Sequence, residues 1–209
     1  RNASVEKAYK TTVYNRVEMQ IEIDSNTDYT SRVFSESNAK RCTVQQSVFV
    51  DCRFVDCDLS GAGFTDRRFG DCEFENSDCN SVNCDRSKFI GATFRHCKVA
   101  GVNWATLGWS SYRQGRPLLF EWCDISFSVF SSLVLREQCL RDCKARGLDF
   151  SECDLKGAEC CRTDFQESRI SACHLDQCNF VGATNYLVDR FGNSIEKARF
   201  NSPEVLSLF

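Results

Sequence analysis

A large apolar residue returns at every fifth position through most of this chain, and that period restricts the fold more than any other feature. Between Cys52 and Phe74 the fifth residues are Phe54, Leu59, Phe64, Phe69 and Phe74. Two places before each stands Cys52, Cys57, Ala62, Arg67 or Cys72. A helix repeats near 3.6 residues and a strand near 2.0, so a period of five belongs to neither. A period foreign to single elements marks a repeat architecture, in which each unit buries its apolar face on the next.

The pattern runs far beyond that stretch. Val44, Phe49, Phe54, Leu59, Phe64, Phe69, Phe74, Cys79, Cys84, Phe89, Phe94, Val99 and Trp104 form one unbroken apolar series. After a gap it resumes one place out of phase as Phe120, Ile125, Phe130, Leu135, Leu140, Ala145, Phe150, Leu155, Cys160, Phe165, Ile170, Leu175 and Phe180. Only 42% of the 209 residues are hydrophobic, so chance does not produce two such runs. If four pentads close one square coil of about 20 residues, coils stack like parallel strands at ~4.8 Å, and about eight of them reach roughly 40 Å. The backbone then bonds to the coils above and below. The expected fold is therefore an all-β solenoid, a quadrilateral β-helix over 42–200. An irregular N-terminal cap or leader over 1–41 precedes it, within which Val17 to Asp24 alternates like a strand and Tyr29 and Phe34 fit the period loosely. At the other end, Ser202 as N-cap, Pro203 at the first helical position and Glu204 in the first turn predict a short helix over 201–209.

Fifteen cysteines would ordinarily suggest a disulfide scaffold. Here ten of them (Cys42, Cys52, Cys57, Cys72, Cys97, Cys123, Cys143, Cys153, Cys173 and Cys178) stand two places before a fifth residue, and Cys79, Cys84 and Cys160 are themselves fifth residues. Those two slots face inward, where cysteine serves as a small hydrophobe. The expectation is buried, reduced thiols in a reducing cytoplasm; disulfides between stacked coils are the alternative. Arg67 departs from the small residues of its slot and is expected to swing outward or to mark a distorted corner.

The gap from Trp104 to Phe120 measures three pentads plus one residue. It reads as a single-residue bulge near 105–117, carrying Pro117 and two cations. Trp109, Tyr112, Arg113, Gln114 and Arg116 are its candidate contact residues, because loops on rigid scaffolds often carry specific contacts. On the outward slots, Asp51, Asp56, Asp71, Asp142, Asp149, Glu152, Asp154, Asp164 and Glu167 form a candidate anionic face, with eleven acids against seven bases over 118–182.

Several classes of function find no support. The net charge of −3 does not suit a generally basic nucleic-acid binder, and no apolar run approaches a membrane span. The two histidines, His96 and His174, stand on outward slots beside repeat cysteines. There is no CxxC pair, nucleophile elbow, Walker loop or HExxH. Gly61-Ala62-Gly63 lacks the third glycine and the βαβ setting of a dinucleotide fingerprint. No catalytic residue, metal site or cofactor is expected.

Tandem pentads of small–polar–Leu/Phe–polar–polar form resemble the pentapeptide-repeat proteins, closely over 42–182 and loosely from 29 to 200. A narrower resemblance, to albicidin-immunity members of that family, rests on Gly101-Val102-Asn103-Trp104, Phe120-Glu121-Trp122-Cys123, Ala183-Thr184-Asn185-Tyr186, Ala198-Arg199-Phe200 and Pro203-Glu204. More distantly the chain is similar to the Qnr quinolone-resistance and microcin B17-immunity members. The resemblance implies a right-handed β-helix. It also implies a cytoplasmic, non-enzymatic protein that protects DNA gyrase, and topoisomerase IV in some cases, by presenting a DNA-like anionic rod, without itself binding nucleic acid. It further implies a dimer. The apolar C-terminus, Ile195, Phe200, Val205, Leu206, Leu208 and Phe209, is the candidate interface, since exposed apolar ends favour two-fold pairing. A scaffold protein with another partner, or direct capture of the toxin, are the competing readings.

Overall fold

The computed structural model describes residues 23–108 and 118–201. A wall of the coil is one pentad wide, so its strands are only three or four residues long. β1 (Asp28–Thr30), β3 (Val48–Val50), β5 (Arg68–Gly70) and β7 (Lys88–Ile90) form a four-stranded parallel sheet on one wall. β2 (Val33–Ser35), β4 (Arg53–Val55), β6 (Glu73–Glu75), β8 (Ala92–Arg95), β9 (Leu118–Glu121) and β10 (Cys139–Arg141) form a six-stranded parallel sheet on the next. The other two walls pair through single bridges. One of their columns runs Asn38, Asp58, Asp78, Lys98, Asp124, Lys144, Asp164, Thr184 without a break. Seven steps of ~4.8 Å give that column about 34 Å. The fold is thus the β-helix that the period predicts. The ladder already runs at Asp28, inside the segment expected to be irregular. The expected strand near Val17 and the expected C-terminal helix both fall, for the most part or wholly, outside the described residues.

Register supplies the main correction. Phe34 pairs with Phe54 and Phe54 with Phe74, twenty residues apart. Across the gap, however, Phe94 pairs with Phe120 and Asn103 with Val129, twenty-six apart. The surplus is therefore six residues, 26 − 20, and not the single residue expected. Gly108 still obeys the old register, its N–H donating to the Ser87 carbonyl at 2.9 Å as Lys88 donates to Arg67 at 2.8 Å. Nine residues, 109–117, thus replace the three that would join Gly108 to the position now filled by Leu118. A period of five cannot tell one extra residue from six, because both shift the phase equally. Only closure of the four-walled coil decides.

The inward slots do more than fill space. Ser77 Oγ donates to the Phe54 carbonyl at 3.2 Å and accepts from the Cys57 N–H at 3.0 Å. Thiols in the same slot donate to the same kind of carbonyl one coil below: Cys52 to Tyr29, Cys153 to Phe130, Cys173 to Phe150 and Cys178 to Leu155, at 2.7 to 3.5 Å. A weak donor that is also small suits a corner where a buried carbonyl needs a partner. None of the fifteen cysteines forms a disulfide, and fourteen are buried. Cys42 is the exception. It was expected inward but is exposed, on a coil near the N-terminal end of the described rod. Cys139 and Cys161, outside the two inward slots, are buried as well. Arg67 stays at its corner, donating from Nε to the Val44 carbonyl at 2.9 Å and from Nη1 to that of Asp66 at 3.2 Å.

Candidate functional site

Because every wall ends in a corner, the outward surface is set residue by residue. Apart from Thr106, in the short 3-10 turn Trp104–Thr106, the second residue after a fifth residue of either series takes a positive φ, as in Asp51, Asp56, Asp66, Asp71, Asn76, Arg86 and Asp142, between 50° and 61°. Such a conformation costs an L-residue about 1–2 kcal/mol, least for Asn and Asp, which explains the abundance of short polar residues at corners. The corner N–H donates to a carbonyl of the next coil (Asp56 to Glu75 at 3.0 Å, Asp142 to Cys161 at 3.0 Å), so these side chains hold fixed heights along the rod.

The nine acids expected to form an anionic face are therefore outward, but they do not act alike. Asp142 accepts both nitrogens of Arg162 at 2.6 and 2.7 Å. Asp154 pairs with Arg136 at 2.6 Å and Asp164 with Arg146 at 2.7 Å. Asp51, Asp149 and Glu152 accept from the hydroxyls of Ser31, Ser151 and Ser132. Cations one coil away thus neutralise much of the charge counted over 118–182. Hydrogen bonding from Arg162 holds the Asp142 carboxyl below the ordinary carboxylate range. For Asp164, burial alone would raise the value, and the hydrogen bonds from Asn185 and Arg146 together more than reverse it. Charge on this rod is patterned in pairs and is not a uniform stripe.

Sequence reasoning missed two aromatic corners. Trp122 and Phe127 occupy the positive-φ position, at 53° and 59°, where the other described coils carry polar or charged residues, His96, Gly or Ala172. They are 51% and 67% exposed. Trp122 lies parallel to the His96 ring below it, with centroids 5.0 Å apart and 9° between planes. The Phe127 ring covers Gly147 so closely that a Cβ there would fall 2.8 Å from Cδ1. Both stand on the coil that follows the six-residue surplus. The signal was present in the sequence, since both are two places after a fifth residue, but only corner geometry gives that place its meaning.

The candidate loop residues Trp109, Tyr112, Arg113, Gln114 and Arg116 lie outside the described residues, as do Val205, Leu206, Leu208 and Phe209. Of the candidate interface, Phe200 stacks on Phe180 at 5.2 Å, and Ile195 is partly buried against the core. His174 meets Ser194 Oγ at 3.3 Å. Among the described residues no cluster of His, Cys, Asp or Glu could hold a metal ion, and no helix is long and apolar enough to cross a membrane.

Comparison with known proteins agrees with this architecture. A family model described as pentapeptide repeats matches in eight copies over residues 68–103 and 146–182. No curated protein sequence matches. Three structures of QnrB1, each described as a plasmid-mediated fluoroquinolone resistance protein, share the fold. A trypsin-treated form is 16% identical with a TM-score of 0.66, covering 87% of this chain and 95% of its own. A second trypsin-treated form gives 17% and 0.58, covering 90% and 92%. The full-length protein gives 15% and 0.52, covering 87% and 97%. At such identities the likeness is one of fold.

Proposed function

This chain is a pentapeptide-repeat protein, and on that premise we propose that it protects a type II topoisomerase, DNA gyrase or topoisomerase IV, from a poison or antibiotic. The observation that carries this reading is the unbroken column from Asn38 to Thr184, a rigid rod about 34 Å tall whose outward charges hold fixed heights. The rod would occupy the groove that takes DNA, without covalent chemistry and without binding nucleic acid itself. The fluoroquinolone-resistance role of QnrB1, which shares the fold over nearly its whole length, supports the same reading. The paired acids change its detail. Mimicry rests on shape and on a fixed pattern of charge, so the attraction is weaker, and less sensitive to salt, than a polyanion would give.

In this reading the nine residues of 109–117, with Trp109, Tyr112, Arg113, Gln114 and Arg116, form a contact loop. The protein works in the cytoplasm as a homodimer joined through 201–209 with Ile195 and Phe200. The test is a supercoiling assay with purified gyrase and albicidin, microcin B17 or a fluoroquinolone. The protein is expected to restore supercoiling against at least one of them, and a variant lacking six residues between Gly108 and Leu118 is expected to fold yet restore less. Failure against every poison at saturating protein sinks the reading. The neutralised acids favour a second reading, a scaffold for another protein; a pull-down with purified partners that returns neither gyrase subunit would select it.

A further inference from the structure

We propose that Trp122 and Phe127 are the anchors through which the rod grips its protein partner, an inference that rests on the reading above and names the surface on which it acts. Three observations converge. Both residues hold a left-handed backbone that disfavours bulky side chains, and, apart from them, no described corner of positive φ carries Trp, Phe or Tyr. The stacked coils enforce this backbone at Arg41, Arg86 and Arg162 as well, so it is the ring, and not the strain, that sets these two corners apart. Both rings are also largely exposed, although Asn or Gly would be easier to place there. Finally, both are held rigid before any partner arrives. Trp122 lies on His96, Phe127 lies on Gly147, and their N–H groups donate to the Arg141 and Arg146 carbonyls at 3.0 and 2.8 Å.

The chemistry of the surroundings selects the occupant. The two rings stand at the two ends of one wall, whose buried centre is Ile125. Between and above them, Lys144 pairs with Asp124 at 2.9 Å, Arg146 with Asp164 at 2.7 Å, and Arg141 with Glu121 at 3.7 Å. Cations already engaged with carboxylates do not offer a track for phosphates, as a nucleic acid or an anionic membrane requires. Rigid aromatic anchors among neutralised charges are instead the composition of a protein interface, where Trp and other aromatics fill pockets and surrounding polar pairs exclude water. The partner surface is therefore expected to carry two apolar pockets one wall apart. The acids would then fix orientation and approach, and the rings would set the lifetime of the complex.

The experiment uses the full chain with Trp122→Asn and Phe127→Asn, singly and together. Asn is the residue found at the Asn76 and Asn185 corners, so each variant is expected to melt at or above the wild-type temperature. In the supercoiling assay each single variant is expected to need about tenfold more protein for half-restoration, and the double variant more still. Equal potency of wild type and double variant would overturn the anchors while leaving the topoisomerase reading intact. No restoration by wild type would overturn that reading and the anchors with it. Sedimentation of the variants supplies the last arm: loss of a dimer present in the wild type would assign the rings to a second copy of this chain and overturn the proposal.

Discussion

The coils below the six-residue surplus and the coils above it share one geometry but are built from different chemistry. Below, phenylalanines repeat in columns: Phe34, Phe54, Phe74, Phe94 and Phe120 stack at 4.5 to 5.1 Å, with planes 5° to 17° apart. Tyr29, Phe49, Phe69 and Phe89 repeat the arrangement on the neighbouring wall. Above, the first of these columns continues as Leu140, Cys160 and Phe180 before Phe200 stacks again at 13°, and in another column the Phe130–Phe150 pair tilts by 42°. Regular strands follow the aromatic columns and end at β10, beyond which the described ladder continues through single bridges. The outside differs less. Four short ion pairs tie the upper coils together, at Lys144–Asp124, Arg136–Asp154, Arg146–Asp164 and Arg162–Asp142. Below, Arg86–Asp66 at 2.7 Å and Arg53–Glu73 at 3.1 Å do the same, so the two halves differ chiefly in how their cores are filled. A repeat fold needs matched volumes in each column, and it accepts more than one way of supplying them.

The largest expected effect ignores the division. Burial pushes the thiols of Cys72 and Cys84 below, and of Cys143, Cys153 and Cys178 above, up to about 12. Their folded values are raised over the unfolded one, so the stabilisation is complete below pH ~9 and is lost as pH climbs toward 12. At pH 10 each thiol contributes on the order of 1 kcal/mol of destabilisation, and the five together several. Denaturant midpoints measured from pH 7 to 10 under reducing conditions should fall steeply. A flat profile would mean that the thiols are not buried in this way.

Next in size is a direct test of the two cores. Phe69→Ala removes a ring stacked on both neighbours and should cost about 4 kcal/mol, whereas Leu155→Ala in the upper half should cost about 3. Urea unfolding of both variants measures the difference, and a larger loss at Leu155 would reverse the comparison. Gly147→Ala places a methyl group against Phe127 at a φ of 61° and should cost about 1–2 kcal/mol. Combining it with Phe127→Asn should recover the steric part of that loss and leave the backbone part.

The smallest effect concerns the surface. Arg162→Ala should cost little at pH 7, because the pair is solvent-facing. Asp142 has a depressed folded value, so its contribution is present above the unfolded carboxylate value near 4 and is lost as pH falls below it. The gap between wild type and Arg162→Ala should therefore narrow as pH falls below about 4 and through the lowered folded value. A gap that persists there would show that Arg162 acts through packing.

Much of the molecule was legible in the sequence. Phe54, Leu59, Phe64 and Phe69 announce four walls, because a side chain that returns inward every fifth residue can do so only on a polygonal coil. Cysteine beside those residues reads correctly as buried. What it could not reveal is that Cys153 and Cys178 also donate to carbonyls one coil away, since their partners are 23 residues distant in sequence. The acids were found but their charge was misjudged. Asp142, Asp154 and Asp164 look like a stripe until stacking sets Arg162, Arg136 and Arg146 against them. The aromatic corners were passed over, because Trp122 and Phe127 resemble ordinary apolar residues until their backbone conformation is known.

The repeat of five, being local, was determined by the sequence alone, and with it the choice of inward and outward residues at nearly every position. The size of the interruption was not. One residue and six leave the same phase behind, and only the pairing of Phe94 with Phe120 and of Asn103 with Val129 separates them. Phase is a property of neighbouring residues, whereas closure of a coil is a contact between residues about twenty apart. The tertiary structure alone decided that nine residues stand where three would close the coil and that two exposed rings stand on the coil that follows them.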